Sequence, residues 1–122
     1  MNGLKKNIMK HVNTLENTLL KAMVLKYPTL ENHLPLLKVK TRTNSAQGAV
    51  IELIYEDNTL NFDETLNALF SDGKNIAIPE LKKGLSYVID ITCGEITGIE
   101  LNTYEEKWNG KMSAFELVEV ER

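Results

Sequence analysis

The sequence predicts one α+β domain of 122 residues, in which a long amphipathic N-terminal helix packs on an antiparallel sheet of about five or six strands. Before Pro28, apolar residues recur every three or four positions, as on the buried face of a helix. After Pro35, apolar and polar residues alternate through several segments, as in strands with one exposed face. No repeat, low-complexity tract or linker divides the chain, so we expect residues 1–122 to form a single domain.

The N-terminal helix is predicted from a stripe of apolar residues, namely Leu4, Ile8, Val12, Leu15, Leu19 and Met23. It should end near Lys26, because Pro28 disfavours the helical conformation at Tyr27. A different face of this helix carries Lys6, Lys10, Asn17 and Lys21. That face is either a solvated surface or a contact for a polyanion.

A first β-hairpin is predicted after residues 29–35, which form a loop or a single helical turn. From Leu37 to Thr43, basic side chains alternate with apolar or hydroxyl side chains, which is typical of a strand. Residues 44–48 are turn formers, and the apolar, β-branched residues 49–55 supply the second strand.

Short helical inserts are predicted for the middle of the chain. Residues 60–62 begin a short third strand, and Asp63 then suits the N-cap of a short helix that ends at Gly73. Pro79 suits the first position of one further helical turn.

Residues 85–92 have the clearest strand pattern, since Leu85, Tyr87, Ile89 and Ile91 share one face. A turn at residues 93–95 joins this strand to residues 96–101 as a second hairpin.

The segment after this hairpin allows two interpretations. Thr103 and Glu106 have the spacing of a capping box, which predicts a short helix that continues to Trp108. A hairpin turn at Asn109-Gly110 is the alternative. A last strand follows from Phe115 onward. The order of elements also permits a cone-shaped arrangement of one helix and a curved sheet.

Charge is distributed unevenly along the chain. Residues 1–48 contain eight Lys or Arg and two acids, whereas residues 49–122 contain six Lys or Arg and fifteen acids. The two parts either neutralise each other across the fold or present different faces to partners.

The composition excludes several classes of protein. Cys93 is the only cysteine, so an intrachain disulfide is impossible and we expect a reducing, cytoplasmic location. No apolar run reaches the roughly 18 residues that a membrane span needs, and the N-terminus does not resemble a secretory signal.

Motifs for catalysis or for cofactors are not found. His11 and His33 lack neighbouring ligands at metal-binding spacing, so we expect no metal site. Residues 57–68 resemble a calcium loop at first, but Phe62 and Ala68 stand where that loop requires Gly and Glu. Phosphate-binding loops and serine-nucleophile elbows are also absent from the sequence. We therefore expect no cofactor and favour a protein that is not an enzyme.

A non-catalytic protein-binding domain is the function that the sequence favours. Carboxylates surround aromatic residues in one segment and cluster in a second, and these candidate partner-binding residues are Tyr104, Glu105, Glu106, Trp108, Glu56, Asp57, Asp63 and Glu64. Aromatic anchors within an acidic rim suit a basic partner. The specific function that we favour is that of a small acidic bacterial immunity or inhibitor-type protein, which neutralises a toxin such as a nuclease by direct binding. The pI of about 5.4 argues against nucleic acid as the partner.

The alternative function is that of a small-ligand binder or enzyme. It would use a cavity between helix and sheet around Asp90 and Tyr87, where burial would raise the pKa of an inward-facing carboxyl. An outward-facing Asp90 would remove the main support for this alternative. A further option is a subunit that joins a larger assembly through an exposed strand edge.

Overall fold

The computed structural model describes residues 10–57 and 59–120, and it shows an α+β fold with an antiparallel sheet. Helix α1 is followed by a 3-10 helix and seven strands, which are α1 (Thr14–Lys26), the 3-10 helix (Pro28–Leu36), β1 (Leu37–Ser45), β2 (Gly48–Tyr55), β3 (Ala68–Phe70), β4 (Lys74–Ile78), β5 (Leu81–Thr92), β6 (Glu95–Thr103) and β7 (Glu116–Glu119). The predicted fold class is confirmed in its coarse form, as α+β.

The sheet has the strand order β1-β2-β6-β5-β4-β7, and every pairing is antiparallel. Strand β5 is long enough to pair with two short strands along one edge. Its N-terminal half pairs with β4 through Leu81 and Leu85, and its C-terminal half pairs with β3 through residues 89–91. Both predicted hairpins are present, as β1-β2 and β5-β6.

Helix α1 is shorter than predicted because it begins at Thr14. The Asn13 side chain accepts a hydrogen bond from the Glu16 backbone N–H, and the Glu16 carboxylate accepts one from the Asn13 N–H, each at 2.8 Å. This capping box satisfies two free backbone donors of the first turn and favours a start at this position.

Residues 10–13 precede the helix. The backbone N–H and carbonyl of Lys10 pair with those of Val39 in an isolated β-bridge. The predicted helix is therefore wrong for residues 10–13, and its predicted part at residues 4–9 lies outside the described residues.

The buried face of α1 consists of Leu15, Leu19, Leu20 and Met23 together with the Glu16 side chain. Its apolar side chains join one hydrophobic core with the inner faces of the strands. On β5 the inner face carries the predicted set, and Leu85, Tyr87, Ile89 and Ile91 are all buried.

The predicted helix after Asp63 is absent, and so is the predicted strand at residues 60–62. Asp63 instead closes a local turn, in which its carboxylate accepts hydrogen bonds from the backbone and hydroxyl of Thr65. The β5-β6 turn lies against this segment: Gly94 N–H donates to the Leu66 carbonyl at 2.8 Å, and a Cβ atom on Gly94 would lie 2.5 Å from the Asp63 carbonyl oxygen. The conformation of this segment therefore depends on its contact with Gly94, a residue that is distant in sequence.

The other two predicted helical turns are also absent. Pro79 and Glu80 form the turn between β4 and β5. At the predicted capping box, the Glu106 carboxylate accepts hydrogen bonds from the backbone N–H groups of Lys82 and Lys83, at 2.9 and 2.7 Å. It is therefore not used to cap a helix at Thr103.

Residues 104–115 are irregular and connect β6 to β7. The chain does turn at Asn109, whose side chain accepts a hydrogen bond from the Lys111 N–H at 2.9 Å. This turn does not join two strands, so the alternative hairpin is also wrong. The predicted C-terminal strand is present as β7, which pairs with β4.

Candidate binding surfaces

The aromatic residues of the first predicted acidic group serve internal contacts. Trp108 is buried, and its indole N–H donates to the Lys111 carbonyl at 2.8 Å. The Tyr104 hydroxyl donates to the Asn75 side-chain oxygen. Neither side chain protrudes from the surface, as the predicted anchor would require.

The two carboxylates of this group differ in their surroundings. Glu106 accepts the two backbone hydrogen bonds from Lys82 and Lys83, which lower the pKa of its carboxyl below the ordinary value of 4.5. Glu105 is exposed and has a φ of 71°. Glu106 therefore stabilises the connection to β5, and of these two carboxylates only that of Glu105 accepts no hydrogen bond from the described residues.

The second predicted group surrounds the end of β2. Glu56 forms an ion pair with Lys38 at 3.8 Å, and Glu64 is exposed. Asp57 and Asp63 each accept hydrogen bonds from the threonine two residues later, and these bonds lower the pKa of both carboxyls.

The two predicted groups lie at opposite ends of the sheet. The first group follows the end of β6, whereas Asp63 contacts Gly94 just before the start of β6. A strand of nine residues spans roughly 30 Å, so the two groups do not form one continuous surface.

Asp90 and Tyr87 lie on opposite faces of β5 and do not share a cavity. Successive side chains of a strand point to opposite faces, so positions 87 and 90 must diverge. Tyr87 is buried against Phe70, with 6.3 Å between the ring centres, and burial raises the pKa of its phenol while the nearby Asp72 adds to the rise. Asp90 points outward and accepts a hydrogen bond from the Thr92 hydroxyl at 2.7 Å.

A cluster of the buried His33 with the half-buried Tyr55 and Phe62 was not predicted. The Tyr55 hydroxyl lies 2.7 Å from Nδ1 of His33 and accepts a hydrogen bond from the Ile96 N–H at 2.9 Å. Burial lowers the pKa of His33 and raises the pKa of Tyr55 to about 12, so both are uncharged at neutral pH. The three rings are edge to face and Tyr55 packs against the hydrophobic core, so the cluster has a structural role.

The outer face of the sheet, which points away from α1, carries a mixed apolar and acidic surface. We define the outer-face patch by the residues that meet there, which are Val50, Glu52, Leu69, Val88, Asp90, Gly98 and Glu100. Among them Leu69 is 72% exposed and Val50 is 47% exposed. Strands β5 and β6 lie between these two side chains, and large exposed aliphatic side chains on one sheet face are typical of interaction surfaces.

Strand pairing brings the patch together from four strands. Across one row Glu52 is paired with Gly98, Gly98 with Asp90, and Asp90 with Leu69. Across the next row Glu100 lies between Val50 and Val88. Neighbouring side chains in such rows lie about 5 Å apart. Gly98 has no side chain, so a shallow groove runs between two carboxylates, and no residue of the patch is basic.

Of this patch, only Asp90 is among the candidate site residues predicted from the sequence. The alternation in β5 does indicate that Val88 and Asp90 share its polar side. The pairing of β6 with both β2 and β5, which assembles the other members, is not readable from one sequence.

Residues 10–57 and 59–120 contain no group of three or more His, Cys, Asp or Glu side chains that could hold a metal ion. Within the same residues, no helix is long and apolar enough to cross a membrane.

Comparisons with protein-family models, curated proteins and solved structures found no match to this chain. The function must therefore be argued from the surfaces themselves.

Proposed function

We propose that this chain is a non-catalytic binding protein that holds a basic protein partner on the outer-face patch. The observation that supports this proposal is the combination of exposed Leu69 and Val50 with three carboxylates on one sheet face that residues 10–57 and 59–120 leave uncovered. Apolar contacts would supply most of the affinity, whereas Glu52, Asp90 and Glu100 would steer a cationic surface and select against acidic partners.

The class of partner follows from the charge of the patch. A complementary surface carries lysines or arginines opposite the carboxylates, with apolar side chains opposite Leu69 and Val50. Proteins that cleave nucleic acid carry such cationic surfaces, because they must contact phosphates. We therefore propose an immunity or inhibitor-type role, in which the patch masks the cationic surface of a toxin domain such as a nuclease.

Charge reversal on the patch tests the proposal. Tagged protein is used to capture partners from the native host, and the double variant Glu52→Lys/Glu100→Lys is compared with the unaltered chain. Both side chains are exposed, so the fold should persist. We expect the variant to lose a basic partner that the unaltered chain retains, and Leu69→Ser to weaken capture of the same partner.

The matched control is Glu64→Lys/Glu105→Lys, which changes the net charge equally at two exposed acids of the sequence-predicted groups. Loss of capture by this control, with retention by the patch variant, would locate binding at the predicted groups and contradict the patch. Capture that neither double variant affects would contradict an acidic interface altogether.

A further inference from the structure

A cavity of about 530 Å³ lies between the start of α1 and the inner face of the sheet. It is on the face of the sheet opposite the outer-face patch, and its interpretation does not depend on the proposed function. Pockets that bind small molecules typically have volumes of roughly 300–1,000 Å³, so the cavity has room for one.

The walls of the cavity are mainly apolar. Leu19 of α1, Ile51 of β2 and Ile99 of β6 form the base, and the irregular connection before β7 contributes Trp108 and Phe115. Such a lining favours an apolar ligand body, because water that leaves these surfaces returns to bulk solvent.

One ion pair lies in the wall, between Glu16 and Arg42. The Glu16 side chain is buried, and its carboxylate accepts hydrogen bonds from Nε and Nη2 of Arg42, at 2.7 and 2.8 Å, and from the Asn13 N–H. Nη2 of Arg42 also donates to the His11 carbonyl at 3.0 Å. The pair carries no net charge, and the carboxylate already has three donors.

The guanidinium of Arg42 retains donor capacity. A guanidinium has five N–H groups, and the hydrogen bonds above use three of them. Among residues 10–57 and 59–120, Nη1 makes no hydrogen bond, whereas Nε and Nη2 do. The side chain of Arg42 is 29% exposed and is among the residues that line the cavity, so Nη1 is the guanidinium nitrogen that is left free for a ligand.

We propose that this cavity binds a neutral, mainly apolar small molecule whose carbonyl-type oxygen accepts hydrogen bonds from Nη1 of Arg42. A neutral acceptor suits the site better than a carboxylate does. A second carboxylate would lie close to Glu16 in a site of low dielectric constant, and it would lose hydration that Arg42, already paired, could not replace.

Two probes with the same apolar skeleton test this choice, namely the neutral naphthaleneacetamide and the anionic naphthaleneacetate. Trp108 is the only tryptophan, so its indole N–H gives one identifiable cross-peak in the N–H correlation spectrum of isotope-labelled protein. We expect the amide to shift this cross-peak saturably and the acetate to bind at least about tenfold more weakly.

Two variants locate the binding. Ala114→Phe places a ring at the mouth of the cavity, where Ala114 is exposed, and should abolish the saturable shift while the spectrum stays dispersed. Glu16→Gln/Arg42→Met removes the donor without leaving a buried charge, and a glutamine can still serve the capping box. This double variant should bind the amide about tenfold more weakly, as expected for the loss of a charge-assisted hydrogen bond.

The exposed residue Lys82 lies outside the cavity, and Lys82→Met serves as the control that removes one cation without effect on binding. The proposal is overturned if neither probe gives a saturable shift at millimolar concentration. It is likewise overturned if the acetate binds as well as the amide, or if folded Ala114→Phe binds like the unaltered protein. Loss of partner capture by the patch variants would not affect any of these results.

Discussion

At the scale of single residues, the buried Glu16 carboxylate needs hydrogen-bond and ion-pair partners to be stable in the core. It is 2% exposed and depends on Arg42 for two of its three hydrogen bonds. The hydrogen bond to Glu16 in turn raises the pKa of Arg42. A buried charge is tolerated only when it is paired, so removal of one partner should cost more than removal of both.

We therefore expect Arg42→Met to lower the free energy of unfolding by about 2–3 kcal/mol. This is less than the loss of about 3–5 kcal/mol typical of a fully buried pair, because Arg42 is partly exposed. The variant Glu16→Gln/Arg42→Met should lie within about 1 kcal/mol of the unaltered protein. Urea unfolding followed by circular dichroism measures both differences. An equal loss in the single and double variants would contradict the pairing argument.

Glu106 makes a different, pH-dependent contribution. Its folded-state pKa is lowered below 4.5 because its carboxylate accepts the backbone hydrogen bonds of Lys83 and Lys82. A carboxyl with a lowered pKa stabilises the fold above the unfolded-state value and loses this contribution as the pH falls through the folded-state value.

Glu106→Gln should therefore be less stable than the unaltered protein at pH 7, and the difference should shrink as the pH falls below 4.5. Urea unfolding across this pH range provides the measurement. Glu105→Gln is the matched control, since the described residues donate no hydrogen bond to Glu105. A difference that stays constant with pH would show that the carboxylate charge of Glu106 is not responsible.

At the scale of elements, the start of α1 shows how a local signal competes with periodicity. The apolar stripe extends back to Leu4 in sequence, but Asn13 and Glu16 form a capping box that begins the helix at Thr14. The signal Asn-x-x-Glu was present in the sequence and was outweighed there by the longer apolar repeat. A cap at this position is compatible with the bridge between Lys10 and Val39, which a continuous helix would exclude.

Removal of the cap should destabilise the fold by about 1 kcal/mol, the usual cost of replacing an N-cap asparagine by alanine. We expect this loss for Asn13→Ala in thermal and urea unfolding. Asn32→Ala, at an exposed position of the 3-10 helix, is the comparison and should change stability by less than about 0.5 kcal/mol. Equal effects of the two substitutions would mean that the cap contributes little.

Two other elements were decided by contacts between distant segments. Asp63 and Thr103 each resemble helix caps in sequence, and neither begins a helix. The backbone at Asp63 lies against Gly94, and the Glu106 carboxylate accepts hydrogen bonds from the backbone at the start of β5. In both cases a capping signal was overridden by hydrogen bonds that only the folded chain provides.

At the scale of the whole molecule, the basic residues 1–48 and the acidic residues 49–122 form few ion pairs with each other among the described residues. The described residues form three ion pairs, and only Lys38–Glu56 joins residues 1–48 to residues 49–122. The acids of the outer-face patch therefore remain available for a partner, which is the condition that the proposed function requires.

The strands of the sheet should also differ in their local stability against unfolding. Strand β5 is paired along both edges and contributes five buried apolar residues to the core, whereas β7 pairs over four residues and, among the described residues, with β4 alone. Backbone amides of β7 should therefore exchange with solvent well before those of β5, at the low-stability end of the molecule. Hydrogen exchange followed by NMR tests this order. Protection of β7 equal to that of β5 would instead indicate that another chain covers this edge.

The sequence by itself determined the α+β class, both hairpins and the buried face of β5. It could do so because the alternation of apolar and polar residues in a strand is a local pattern that depends little on the rest of the chain. It also contained the cap of α1, although the apolar repeat obscured it. Of the outer-face patch, alternation alone could place Val88 and Asp90 on the same side of one strand.

Only the tertiary structure decided which strands are neighbours, and with them both candidate sites. The outer-face patch exists because β6 pairs with β2 and β5, which sets Gly98 between Glu52 and Asp90. The cavity lies where α1 and the segment before β7 meet β2 and β6, and its wall contains the ion pair between Arg42 and Glu16, which are distant in sequence. Strand register and long-range ion pairs depend on the packing of the whole core, so they cannot be predicted from a local sequence pattern.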